Sequence, residues 1–268
     1  MVAGVRTGAA LHERLSTLFG QTRVLQVVPD SELASAAADL TVGPALLHRV
    51  GADSSQAWFR VYRPLPTVGF SRVDSRSPGF AAAVVAATAR GFASAVRAPG
   101  GRAAAYHRST VCFDLVLPDR GDHPVGRLAA LGAVITAALV DCGVDARLGP
   151  VPDEYCPGTY SVNGGGTGKL AGTAGRRVRG ALLLGGSIVV SDAEPLRAVI
   201  AAVYTALGVP CDPDTVAAAT DFGFTGTPAS LVDALCGLFA GSVDLRPAVL
   251  PDDVLAAAAA AASHPTLP

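Results

Sequence analysis

Between Asp145 and Val190 the chain runs strand, turn, strand, with glycine at the reversals and no helix-length periodic segment between them. Asp145 to Leu148 is a short strand candidate. A glycine-rich hairpin follows, carrying Cys156 and Lys169. The basic step Arg176-Arg177-Val178-Arg179-Gly180 suits a second reversal, and Ala181 to Val190 is an apolar strand, with a bulge expected at Gly185-Gly186. Strands joined this tightly are antiparallel neighbours, because parallel neighbours need a crossover of a dozen or more residues. That excludes the strict strand–helix alternation of a doubly wound sheet. The chain reads as α+β, a mixed and largely antiparallel sheet flanked by helices.

The rest of the sequence supplies the flanking pieces. Leu11 to Leu47 reads as two helical patterns joined near Pro29-Asp30-Ser31, with Leu33, Ala36, Ala37 and Leu40 on one face of the second. Ala57 to Arg63, Thr67 to Phe70, Ala95 to Arg97 and Thr110 to Leu117 are strand candidates. Helical patterns cover Pro78 to Ala95, Val125 to Cys142 with Gly143 as its C-terminal cap, Glu194 to Leu207, Asp212 to Ala219 and Ser230 to Phe239. Residues 1–250 are expected to form a single domain. Residues 251–268, with seven alanines from Ala256 to Ala262, read as a frayed helix or tail.

Half of the residues are hydrophobic and only 16% are charged, so a sizeable core is available. Net charge is −1, which argues against a nucleic-acid partner. No apolar run is long enough to span a membrane, and the N-terminus lacks a signal-peptide core. The five cysteines include no C-x-x-C pair, so neither a zinc site nor a disulfide framework is expected. A cytoplasmic, reducing setting follows as the expectation. Cys112, Cys142, Cys211 and Cys236 lie in apolar periodic segments and read as core.

Among 21 basic residues there is one lysine, Lys169, in the most glycine-rich stretch of the chain. Almost every cationic position accepted arginine, so this one is expected to need a compact primary ammonium on a flexible stem. Cys156 lies thirteen residues earlier, in Tyr155-Cys156-Pro157-Gly158, on a turn and not in a core strand. A thiol and an amine in one short segment point to covalent acyl chemistry. Gly164 to Leu170 approaches a phosphate-binding P-loop but fails it. Asn163 stands where the first glycine belongs, and Leu170 where the magnesium-binding hydroxyl belongs.

Three segments together resemble the lipoate-protein ligase A and octanoyltransferase superfamily, whose fold is shared with biotin ligases. Arg97-Ala98-Pro99-Gly100-Gly101 looks like the family's Arg-x-x-Gly-Gly loop, which lines an acyl tunnel. Gly168-Lys169-Leu170-Ala171-Gly172 is similar to the motif carrying the active-site lysine. Arg176 to Gly180, leading to Gly186-Ser187-Ile188, matches a basic turn and strand. The resemblance covers roughly residues 20 to 240. Cys156-Pro157-Gly158-Thr159-Tyr160 looks like the segment of the thiol-dependent members that move octanoyl or lipoyl groups between carrier proteins. Ser161 departs from that branch, which usually has an acidic residue there.

The resemblance implies a biotin/lipoate ligase-like domain with Cys156 and Lys169 catalytic, and Arg97, Gly100, Gly101, His107 and Gly172 binding substrate. Cys156 would take the acyl group as a thioester, and Lys169 would favour the thiolate and stabilise the developing oxyanion. Gly100 and Gly101 would let the backbone approach the acyl chain. His107 reads either as a carbonyl-polarising group or, with more weight, as a structural hydrogen bonder. Arg176, Arg177 and Arg179 would steer an acidic carrier domain or form a solvated face. Expected partners are lipoyl carrier domains, namely 2-oxoacid dehydrogenase acyltransferase subunits and the glycine cleavage H protein. Exchange between two amides needs no cofactor. The alternatives are an ATP- and Mg-dependent lipoate ligase, in which Lys169 meets an acyl-adenylate, and a non-catalytic acyl- or carrier-binding module.

Overall fold

A computed structural model describes residues 3–31, 33–119, 121 and 124–263. Helix α1 (Ala3–Phe19) precedes β1 (Val24–Val28), and α2 (Ala36–Ala52) follows. The Ser35 hydroxyl accepts the Ala38 N–H at 3.2 Å and so caps α2. Strands β2 (Trp58–Tyr62) and β3 (Thr67–Phe70) lead to α3 (Phe80–Thr88) and β4 (Ala93–Val96). Then come β5 (Ala104–Tyr106), β6 (Thr110–Pro118), α4 (Pro124–Asp141) and β7 (Ala146–Leu148). The site-bearing part is β8 (Val162–Gly164), β9 (Gly168–Val178) and β10 (Ala181–Val189). The chain closes with α5 (Ala193–Leu207), α6 (Pro228–Ala240), β11 (Asp244–Pro247) and α7 (Asp252–Ser263).

Eight strands form one sheet in the order β11-β1-β2-β6-β10-β9-β8-β7. Strand β1 is parallel to both β11 and β2, and the remaining pairs are antiparallel. A second sheet has the order β4-β3-β5. The expected α+β architecture is therefore present. Period-2 alternation sends Phe59, Phe113, Leu115, Leu182 and Leu184 to one face, where they pack with residues of α1, α4 and α6. The opposite face carries α2 and α7 at one end, with Val42, Leu46, Leu183 and Val254 interlocked. At the other end lie α3, α5 and the small sheet. The functional cavity opens between these two blocks.

Several elements differ from the sequence reading. Strand β1 lies where a helix–helix joint is expected, because Val24–Val28 is short enough to be taken for the end of a helical pattern. Asp212 to Ala219 forms only 3-10 turns, set by the Asp212 side chain and Pro213, and not a helix. Gly185 and Gly186 pair in unbroken register, and the irregularity sits at Val162/Asn163. Cys156 is not on the Lys169 hairpin. It lies in the loop between β7 and β8, while Lys169 begins β9 after the Gly165-Gly166-Thr167 turn. After residue 250, α7 packs on α2 with Val254 and Ala258 buried, so the alanine run is docked on the core over its described length. Residues 264–268 lie outside the described residues.

Candidate active site

The loop from Gly149 to Ser161 is organised around one buried carboxylate, Glu154. Its Oε2 accepts the Val151 N–H at 2.9 Å. Its Oε1 accepts the Gly158 N–H at 3.1 Å and the Ser161 hydroxyl at 2.5 Å. Lys169 enters from β9 and completes the set, with Nζ 2.9 Å from Oε1. The same ammonium donates to the Tyr155 carbonyl at 3.0 Å and the Cys156 carbonyl at 2.7 Å. All three N–H bonds of Lys169 are thus committed, and the residue is 1% exposed. Its stem lies over Gly172, where a Cβ would come within 3.3 Å of Cε.

This scaffold fixes the backbone of Cys156 in a left-handed conformation, φ 43°. That conformation disfavours any residue with a Cβ, so the surrounding bonds must hold it. The Cys156 N–H donates to Tyr204 Oη at 2.7 Å, and that hydroxyl donates to the Ala103 carbonyl at 2.9 Å. Tyr204 on α5 therefore ties the cysteine loop to the 97–103 loop. Burial pushes the phenols of Tyr204 and Tyr155 well up, so both remain neutral hydrogen-bonding groups.

The Cys156 sulfur turns toward the 97–103 loop. Sγ accepts the Arg102 N–H at 3.2 Å and lies 3.6 Å from Arg97 Nη2. That nitrogen also donates to the Arg102 carbonyl at 2.9 Å, which holds the guanidinium against the sulfur. Arg102 is anchored in turn by buried Asp74, 3.1 Å away. Gly101, at φ +100°, passes directly over the sulfur. A Cβ there would stand 2.8 Å from Sγ and 2.9 Å from Arg97 Nη2. Burial raises the thiols of Cys112, Cys142, Cys211 and Cys236, the last two to about 11. Those four stay protonated at neutral pH.

Sulfur, guanidinium and ammonium meet at a cavity of about 310 Å³. Its walls include Leu40, Pro44, Tyr62, Pro99, Tyr106 and Phe113, and its floor is the sheet face formed by β6, β10 and β9. Small residues on that floor, Gly172, Ala174 and Gly185, leave the space open. Of the sequence-predicted residues, the structure brings Cys156, Lys169, Arg97, Gly100, Gly101 and Gly172 to this cavity. His107 is not among the residues that line it. Its ring bonds Thr110 Oγ1 at 3.1 Å and the Asp192 carbonyl at 2.7 Å, a structural role. Lys169 is committed to backbone carbonyls and Glu154, and Arg97, not Lys169, hydrogen-bonds the sulfur. Glu154, Arg102 and Tyr204 were not identifiable as site residues from the sequence, since their roles depend on long-range contacts. Among the described residues no cluster of three or more His, Cys, Asp or Glu is disposed to hold a metal. No helix among them is long and apolar enough to cross a membrane.

No family model matches the chain. It is 27% identical over 188 residues to octanoyl-GcvH:protein N-octanoyltransferase of Geobacillus kaustophilus, an alignment spanning 69% of this chain and 66% of that protein. It is 28% identical over 135 residues to lipoyl-GcvH:protein N-lipoyltransferase of Listeria monocytogenes, spanning 50% of this chain and 48% of that one. The fold matches a bipartite lipoate protein ligase of Thermoplasma acidophilum with a TM-score of 0.69 at 18% identity, covering 91% of this chain and 92% of the other. The chain thus resembles curated octanoyl- and lipoyltransferases in sequence and shares its fold with lipoate-protein ligases. It spans less than two thirds of the length of these curated relatives. Arg97, Gly100 and Gly101 of the 97–103 loop, Lys169 near the start of β9, and Cys156 all line the one cavity.

Proposed function

We propose that the protein moves octanoyl or lipoyl groups onto lysines of lipoyl carrier domains through a Cys156 thioester. One observation carries this reading: Cys156 lines the cavity, and its sulfur has the Arg102 N–H at 3.2 Å and the Arg97 guanidinium at 3.6 Å. A sulfur so surrounded is disposed to act as nucleophile and leaving group. In the first half-reaction a C–S bond forms to the acyl carbon and the donor's C–N bond breaks, the released lysine amine taking a proton. In the second, an acceptor lysine amine attacks the thioester. The C–S bond breaks, the amine proton is lost, and sulfur returns to its two donors. Both end states are amides, so the exchange runs near thermoneutrality and uses no nucleotide. Lys169 serves this reaction as a positioning residue, through the carbonyl of the nucleophile's own peptide. The relatives' names favour the glycine cleavage H protein as one carrier. Exposed Arg177 and Arg179 on the β9–β10 hairpin offer a basic edge for such a partner, although Arg177 is already paired with Asp119.

The test is incubation with octanoylated H protein and an unmodified carrier domain, with and without ATP and Mg, followed by intact mass. An acyl adduct on the protein, lost in Cys156→Ala together with transfer, is the expected result. Transfer that survives in Cys156→Ala, or that depends on ATP, overturns the thioester route in favour of adenylate chemistry.

A further inference from the structure

The thioester route leaves the carboxylate that lines the cavity without a task. Asp114 on β6 lines the cavity and is 7% exposed. It stands in the cross-strand row Arg60, Asp114, Gly185, Ala174. The adjacent row on that face, Tyr62, Cys112, Ser187, Gly172, reaches the Lys169 stem.

The two oxygens of Asp114 are not equivalent. Oδ2 makes a long contact, 3.4 Å, with Arg60 Nη1. Arg60 is otherwise saturated: its nitrogens bond the Ser31 hydroxyl and carbonyl and the Asp39 carbonyl, each at 2.8 Å, and the Asp39 carboxylate at 2.5 Å. Asp39 is therefore the partner that neutralises Arg60. Oδ1 of Asp114 accepts no hydrogen bond from any described residue. Two glycines border it: a Cβ at Gly43 would lie 2.5 Å from Oδ1, and one at Gly185 would lie 3.7 Å away. The 97–103 loop spans the same space. Pro99 stands over Gly185 beside Asp114, and Gly101 stands over the Cys156 sulfur. Sulfur and carboxylate thus lie beside different residues of one short loop, Gly101 and Pro99.

A plain hydrocarbon tail pushed against Oδ1 would strip its remaining solvent and return no hydrogen bond. We propose that Asp114 reads the distal end of the acyl chain, so that the cavity prefers a medium-chain acyl group with a hydrogen-bond donor at its far end over an unsubstituted one. This rests on the acyl-transfer reading and names its substrate class. Hydroxyl, thiol and amino termini share the required chemistry. Burial pushes Asp114 up to about 6 against the pull of Arg60, which leaves it mainly ionised, and so an acceptor, at neutral pH.

Calorimetric titration of the full chain with octanoic acid and with omega-hydroxyoctanoic acid tests this. The hydroxy acid is expected to bind on the order of ten-fold more tightly, as for a hydrogen bond to a buried charged group. Asp114→Leu is expected to reverse the order, and Asp114→Asn, which keeps the shape, to shrink the ratio. Equal binding of the two acids to the wild-type protein overturns the proposal. So does failure of both to bind, or a preference that survives in Asp114→Leu. Should the leucine variant not fold, the wild-type ratio decides. Adduct formation on Cys156 with octanoylated H protein is read separately by intact mass. An adduct without discrimination sinks the Asp114 proposal alone, and discrimination without an adduct sinks the transfer reading alone.

Discussion

Replacing Lys169 with methionine separates two roles for the ammonium, an acyl-group contact and a clamp on the cysteine loop. The side chains of Lys169 and Glu154 are 2% and 0% exposed and 2.9 Å apart. Removing one partner of such a pair strands the other charge, at a cost of about 3–5 kcal/mol. The Tyr155 and Cys156 carbonyls lose their donor as well, for about 1 kcal/mol each. Methionine retains most of the apolar stem over Gly172, so cavity formation adds little. The expected loss is therefore about 5–7 kcal/mol, a large part of the roughly 5–15 kcal/mol that holds a domain together. Adding Glu154→Gln removes the stranded charge and should restore about 2 kcal/mol or more of that loss. Urea unfolding of wild type, both single variants and the double variant measures this coupling. If Lys169→Met lies within about 1 kcal/mol of wild type, or the double variant is additive, the clamp is refuted. An ammonium reserved for substrate would give that result, because a buried lysine without protein partners gains stability when made apolar.

Three further outcomes follow from the same geometry. Cys156 holds φ at 43°, so Cys156→Gly should be about 1 kcal/mol more stable than Cys156→Ala in denaturant unfolding, while both lose the acyl adduct. Arg97→Met should slow iodoacetamide alkylation of Cys156 in the folded protein about ten-fold at neutral pH, and an unchanged rate would remove Arg97 from that role. Asp114 is raised from 3.8 to about 6 by burial. The stability tied to its proton is complete below the lower value and lost as pH rises through the upper one. Asp114→Asn should therefore gain on wild type between about pH 4 and pH 7, by up to roughly 3 kcal/mol in paired urea melts. A gap between the two that does not change with pH would refute that placement.

The elements most legible in the sequence were those with local signals. The helices over 124–141 and 193–207 have long apolar periodicity and glycine after their last turn, and β6 and β10 are rich in β-branched residues and leucine. Elements whose identity depends on distant partners were not legible. Strand β1 becomes a strand because β2 and β11 flank it in parallel, and β11 has the exposed, charged sequence of a sheet edge. The alanine run of α7 reads as a frayed helix or tail because alanine carries little area, yet α7 packs against α2 through Val254 and Ala258. In the site, the glycine and lysine motifs and the exposed turn of Cys156 could be read directly. Asp114 could not, because a lone carboxylate within Cys112-Phe113-Asp114-Leu115 reads as the polar interruption of a strand. Only the register against Gly185 and Arg60 sets it in the cavity.

The rarity of lysine in this chain and the shape of its site have one explanation. Glu154 Oε1 and the carbonyls of Tyr155 and Cys156 converge on a single point, at 2.9, 3.0 and 2.7 Å from Nζ. Three acceptors around one point match the three hydrogens of an ammonium. The five donors of a guanidinium diverge over a rigid plane, and two of its nitrogens would be driven into the cage wall. In a chain that otherwise uses arginine throughout, the position that kept lysine is the one where charge had to be delivered as a point. The structure also shows where that charge acts: on the backbone that presents Cys156. The sulfur itself is met by the arginine two residues before Pro99, whose Nη2 donates to the Arg102 carbonyl and lies 3.6 Å from Sγ. Lys169→Arg should therefore fail although it keeps the charge, because the cage would be overfilled, and urea unfolding should show the loss.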